Sequence, residues 1–249
     1  RCPHMGFPLD EGTVEDGVLT CHWHHARFEL TCGATFDPWA DDVRTYPVEI
    51  EDGTVYVDPR PESETSPAER WSDRLEDGLE RDLRLVVAKS VVGLRDAGVD
   101  PATPVARGVE FGVRFRRDGW GPGLTILTAM GNVLPSLEEA DRRRALTHGL
   151  AAVADDCAGS PPRFAQDPFP SDVPLDRLRA WLRETVDVRD ADGTERVLRT
   201  AVRSCDDAEL ADLLVTAATD HRYLDDGHTL DFVNKAFESL AYVDESLAP

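Results

Sequence analysis

The spacing of hydrophobic and polar positions changes partway along the chain. Through residue 58, apolar residues come in short runs between turn signals. These are Gly12-Thr13-Val14, then Gly17-Val18-Leu19-Thr20 leading to Cys21, and Tyr46-Pro47-Val48-Glu49-Ile50 and Thr54-Val55-Tyr56-Val57 flanking Glu51-Asp52-Gly53. Such runs, broken at Gly and Asp, predict a small antiparallel β module. Residues 59–67 hold Pro59, Pro61 and Pro67 among polar side chains, with no apolar pattern, as an extended linker does.

Beyond the linker the period is helical. Trp71, Leu75, Leu79, Leu83, Val87, Val91 and Leu94 fall on one stripe, and Ser66-Pro67 supplies a cap and a first-turn proline. Ser136 with Glu139 reads as a capping box opening a helix through Leu146, Leu150 and Val153. Pro174 starts another helix, carrying Leu175, Leu178, Trp181 and Leu182. Two closing helices are expected at 208–221 and 228–247, joined at Asp225-Asp226-Gly227. Residues 107–116 stay ambiguous, because Val109, Phe111, Val113 and Phe115 alternate as in a strand and a turn follows at Asp118-Gly119. The expected architecture is multidomain: an all-β module (1–58), a linker (59–67) and a mainly α-helical domain (68–249).

Composition narrows the function. A chain of 249 residues, 41% hydrophobic, can bury a core. No apolar run reaches the roughly 20 residues that cross a bilayer, so no membrane span is expected. With 48 acidic against 27 basic residues the formal charge is −21, which argues against binding nucleic acid or an anionic membrane. The basic residues are Arg except for Lys89 and Lys235; a GC-rich genome and a high-salt cytoplasm both fit this. Five cysteines, an odd and scattered set, are unlike a secreted disulfide framework and point to a reducing, cytoplasmic setting. Arg1 stands where an initiator Met would, so removal of a preceding segment, a targeting segment included, is an expectation.

The chemistry lies near the start. Cys2-Pro3-His4 is followed after sixteen residues by Cys21-His22-Trp23-His24, which offers two thiolates for one iron and two imidazoles for another. Structural zinc would accept the same ligand types; iron and sulfide content separates the two. Together with Met5-Gly6-Phe7-Pro8-Leu9, Glu11-Gly12-Thr13-Val14, Ala26-Arg27-Phe28 and Tyr46-Pro47-Val48, the motif resembles the ferredoxin-type Rieske domains of bacterial and archaeal oxygenase systems, over residues 1 to 58.

That resemblance implies a [2Fe–2S] cluster on Cys2, His4, Cys21 and His24, single-electron transfer, and a redox partner such as a flavin-dependent reductase or an oxygenase. Respiratory Rieske proteins carry extra cysteines and a serine where this chain has Phe7, Trp23 and Ala26, so the low-potential, disulfide-free kind is implied, with a potential that depends on pH in the alkaline range. His22 stands at a usual Pro and His25 at a usual Gly; both read as solvated. Cys32 reads as a small buried hydrophobe and not a fifth ligand. The family places several strands before the first ligand loop, where this chain has only Arg1, so an incomplete sheet with open edges is expected.

In the helical part, Asp225-x2-His228 begins the iron triad of ring-hydroxylating oxygenases, but Val233 occupies its last place, and the standard α-subunit is rejected. Gly227-His228-Thr229-Leu230-Asp231-Phe232 with Lys235-Ala236-Phe237-Glu238 resembles questin-oxidase-like proteins, helical enzymes linked to oxidative ring chemistry. His221, Asp225 and His228 at this corner, joined by His148, form a candidate acid–base or second-metal site for a small-molecule substrate. Helix capping and ion pairing are the alternative. Arg189-Asp190-Ala191-Asp192-Gly193-Thr194-Glu195-Arg196 with Arg199 is read as Arg–Glu pairing, or else an anion site. The leading function is an oxidoreductase component that delivers electrons to a reaction in, or docked against, the helical domain. The alternative is a carrier or redox sensor whose helical domain serves docking or oligomerisation.

Overall fold

The computed structural model describes residues 1–59, 65–116, 119–220 and 228–243. Part of the linker (60–64), Asp118 of the proposed turn, the corner at 221–227 with His221 and Asp225, and the end of the last expected helix (244–247) lie outside the described residues.

The N-terminal module is β, as expected. Strands β1 (Thr13–Glu15), β2 (Val18–Thr20) and β3 (Arg27–Glu29) form an antiparallel meander. Asp16 and Gly17, both at positive φ (47° and 79°), make the β1–β2 turn, whose twist matches that of the paired strands. Strands β4 (Val48–Glu51) and β5 (Thr54–Val57) pair separately, through Asp52 and Gly53. Their register sets Val48 against Val57 and Ile50 against Val55 on one face, and these four side chains are 53 to 70% exposed. The module's core gathers Cys2, Cys21, Ala26, Phe28 and Ala40, with Phe7, Leu19, Trp39 and Val43 around them. The two thiols therefore sit at its centre.

Among the described residues nine helices follow: α1 (Pro67–Glu80), α2 (Arg84–Asp96), α3 (Ala102–Phe115), α4 (Pro122–Val133), α5 (Glu139–Cys157), α6 (Leu175–Asp187), α7 (Ala191–Ser204), α8 (Asp207–Asp220) and α9 (His228–Ser239). The predicted start at Ser66 is a full capping box: Ser66 Oγ accepts from the Glu69 amide and the Glu69 carboxylate accepts from the Ser66 amide. The single stripe from Trp71 to Leu94 is two helices. The chain reverses at residues 81–83, with Asp82 at φ 49°, so that Gly78 meets Val87 and Gly93 meets Trp71. A Cβ at Gly93 would fall 2.2 Å from the Trp71 indole, which leaves glycine as the residue that fits.

One open reading is resolved and one expectation corrected. Residues 107–115 are helical within α3, where Gly108 and Gly112, one turn apart, admit Leu124 and Leu127 of α4 and Leu150 and Val153 of α5. The large residues alternate, but Val105, Val109 and Phe111 are buried with Gly108 and Gly112 at helical spacing, and Phe111 stacks on Phe115 one turn away at 4.5 Å. Ser136 caps nothing: it closes a 3-10 turn, Leu134–Ser136, and α5 starts after Glu138 without a side-chain cap. Glu139 is taken instead by Arg95 (3.0 Å) and Arg143 (3.2 Å), and its carboxyl is held below the usual range chiefly by the Arg95 bond.

The helices enclose two cores. One joins α1 to α5 around Leu75, Val91, Val109, Leu127, Leu146 and Leu150; the other joins α6 to α8 around Leu178, Leu182, Val197 and Leu213. Helix α9 packs on both α4 and α8. No helix among the described residues is long and apolar enough to cross a membrane.

Candidate metal centre

Two short loops of one design carry the four motif residues. In the first, the Cys2 amide donates to Phe7 O (2.7 Å), the Gly6 amide donates to Cys2 O (2.8 Å), and Gly6 sits at φ 86°. In the second, the Cys21 amide donates to Ala26 O (2.8 Å), the His25 amide donates to Cys21 O (2.9 Å), and His25 sits at φ 62°. The left-handed residue four positions after each cysteine turns the loop back, and His25 does with strain what Gly6 does freely. His22 is tied down as well, with its Nε2 2.5 Å from Thr13 Oγ1. Both side chains are exposed, as expected, and His25 shapes the second loop through its backbone.

Cys2 and Cys21 are both buried in the module's core. Burial, the largest effect, pushes the Cys2 thiol up, while the amides of His4 and Met5, aimed at its sulfur, pull the other way. The rings of His4 and His24 meet edge to face, centroids 4.8 Å apart. His4 Nδ1 is buried with no hydrogen-bond partner, and desolvation, followed by the proximity of His24 and Lys89, lowers its pKa. A buried, unpartnered imidazole nitrogen on a ring packed against a second imidazole, in the same two loops as two buried thiols, suits a cluster with a sulfur-bound and a nitrogen-bound iron. No three His, Cys, Asp or Glu side chains among the described residues converge on one point, as a single ion would require.

Residues that the motif did not reveal surround this centre. Trp39 packs edge-on against His4, centroids 4.6 Å apart, and Trp23 lies 5.3 Å from His24. Met5 and Trp23 are each 56% exposed, so an apolar rim borders the exposed His24. From the helices, Lys89 Nζ donates to the Pro3 carbonyl and pairs with Asp41 at 3.0 Å. Arg74 pairs with Asp41 and Asp77 (3.0 Å each) and donates to Pro38 O (2.7 Å) and Ala40 O (2.8 Å). Their one sequence signal was that Lys89 is one of only two lysines. Beside this network a cleft of about 680 Å³ lies between the module and α1, lined by Pro3, Phe36, Arg44, Arg70 and Trp71 among others.

Cys32 corrects the reading of a buried hydrophobe: it is exposed, in a turn held by the Glu29 carboxylate, which accepts from the Thr31 and Cys32 amides at 2.8 Å each. His148 is exposed on α5, and His228 is exposed at the start of α9, its ring stacked on Phe232 at 5.9 Å. His221 and Asp225 lie outside the described residues. At the Arg-rich segment Asp190 caps α7, Glu195 pairs with Arg163 (3.0 Å) and Arg196 covers the Phe169 ring (4.6 Å), which is the pairing account.

Residues 1–47 match the Rieske [2Fe-2S] domain family, and this N-terminal module is a Rieske domain, which implies a [2Fe–2S] cluster. The chain is similar to apoptosis-inducing factor 3 of Homo sapiens, 40% identical over 58 residues, or 23% of this chain and 10% of that protein. It is likewise similar to the ferredoxin subunit of 3-phenylpropionate/cinnamic acid dioxygenase from Photorhabdus laumondii, at 39% over 59 residues (23% of this chain, 56% of the subunit). The ferredoxin subunit of anthranilate 1,2-dioxygenase from Burkholderia cepacia is 40% identical over 57 residues (22% and 53%). The chain thus spans about half the length of these ferredoxin subunits and a tenth of the human protein. No solved structure matches it.

Proposed function

We propose that this protein is a one-electron carrier in an oxidoreductase system, with Cys2 and Cys21 holding one iron of the cluster and His4 and His24 the other. The observation that carries the reading is the buried, unpartnered Nδ1 of His4, on a ring packed against His24, in a module whose core holds the buried thiols of Cys2 and Cys21. When bound, the cluster supplies single-electron redox chemistry. The protein's own residues do the rest: the loop amides direct donors at sulfur, Trp39 and Phe28 exclude water, and the exposed His24 edge with Met5 and Trp23 offers a short path to a docked partner. We propose a flavin-dependent reductase as donor and an oxygenase-type acceptor, in keeping with the dioxygenase ferredoxin subunits above, and a reducing cytoplasm in which all five cysteines are free. With no extra cysteine beside the ligands, the low-potential subclass follows.

The test is chemical. The purified chain should hold iron and acid-labile sulfide in equal amounts and show a Rieske-type signal when reduced, and His4→Ala or Cys21→Ser should abolish both. Zinc in place of iron and sulfide would refute the reading. Chemistry at His148, His221, Asp225 and His228 is a further proposal, with its own assay: His228→Ala should abolish turnover of the partnered system while leaving the cluster spectrum unchanged.

A further inference from the structure

We infer that the α1–α2 hairpin positions His4 and sets the reduction potential of the cluster, through Lys89 on the ligand loop and Arg74 on the loop that carries Trp39. The inference rests on the cluster reading proposed above. His4 is held from two sides, and the helices hold both. On the backbone side, Lys89 Nζ donates to the Pro3 carbonyl, which belongs to the peptide directly before His4. On the ring side, Trp39 packs edge-on against the imidazole, and the carbonyls on either side of Trp39, those of Pro38 and Ala40, both accept from Arg74 Nη2. Asp41 joins the two cations, 3.0 Å from each. These three side chains are only 16 to 22% exposed, so solvent screens them incompletely.

The sign of the effect follows from charge. Reduction makes the cluster more negative, so a cation beside it favours the reduced form and an anion the oxidised form. Lys89 touches the ligand loop itself, and Asp41 lies behind it, paired with Lys89 and Arg74. Lysine suits this place, since a compact ammonium can direct separate N–H bonds at Pro3 O and Asp41, while a planar guanidinium presents its donors in a fixed fork. Lys89, one of only two lysines in the chain, stands where that geometry is needed.

The experiment measures the midpoint potential of the full chain with its cluster, for wild type, Lys89→Met and Asp41→Asn, by redox titration followed in the visible and EPR spectra. Lys89→Met should lower the potential, so that the reduced-to-oxidised ratio at a fixed poise falls about tenfold, equivalent to about 59 mV for one electron. Asp41→Asn should raise it by a similar factor, and the spectral shape should persist in both. Potentials unchanged within twofold in both variants, or shifted in the same direction, would overturn the inference. If Lys89→Met does not retain the cluster, the sign of the Asp41→Asn shift decides. A wild-type chain without iron and sulfide would instead sink the cluster reading, before any potential is measured.

Discussion

Arg74→Met removes a guanidinium and keeps most of the apolar stem, so it reads the charged head alone. That head makes four bonds: to Asp41, Asp77, Pro38 O and Ala40 O, at 2.7 to 3.0 Å, with the side chain 16% exposed. Hydrogen bonds to a charged group contribute about 1.5–3 kcal/mol each, and removing one partner of a buried pair costs about 3–5 kcal/mol. Two discounts apply. Asp77 is 44% exposed and returns to water with little loss, and Asp41 keeps Lys89 as a partner. The net expectation is about 3 kcal/mol, a drop of about 8 °C in the midpoint of a transition that couples the β module to α1. Urea and thermal unfolding, followed by far-ultraviolet circular dichroism and by tryptophan fluorescence from Trp39 and Trp71, give the value. Arg144→Met is the control, because Arg144 (80% exposed) pairs with Asp141 (51% exposed) within one helix and should cost below about 0.5 kcal/mol. If the two variants lose the same amount, the Arg74 network does not hold the module to the helices.

His25→Gly should stabilise the metal-free chain by about 1 kcal/mol, since φ 62° is strained for histidine and free for glycine; lower stability in urea unfolding would contradict the loop geometry. Burial drives the Cys157 thiol from 9.0 up to about 11, so iodoacetamide at pH 8 should label the exposed Cys32 and spare Cys157 in the folded protein, as read by peptide mass spectrometry. Glu29 is lowered from 4.5 to about 2, first by the Cys32 amide and then by the Thr31 hydroxyl. A carboxylate with a depressed folded pKa adds stability above its unfolded pKa and loses it as pH falls through the folded one. The stability gap between wild type and Glu29→Gln should therefore close as pH drops from 4.5 to about 2, and a gap that stays constant through that window refutes the assignment.

The Rieske motif was legible because its information is local: its Cys and His residues and their spacing are written within residues 2 to 24, and each loop closes on itself by backbone bonds from the cysteine. The β-to-helix change of period and the helix start at Ser66-Pro67 were legible for the same reason, each depending on neighbours within a turn or two. Tertiary packing decided the rest. Residues 107–115 became helix because Gly108 and Gly112 fit against α4 and α5, a contact that alternation among their large neighbours concealed. Glu139 left the predicted box for Arg95, which is 44 residues away in sequence. The clamp on His4 lay furthest from view, since Lys89 and Pro3 are 86 residues apart and Arg74 and Pro38 are 36 apart, and only the folded chain brings the cations of one segment to the carbonyls of another. The sequence by itself determined the Rieske motif, because that chemistry is carried by residue type and short spacing. The tertiary structure alone decided what surrounds the motif's residues, because burial and long-range charge are properties of the packed chain.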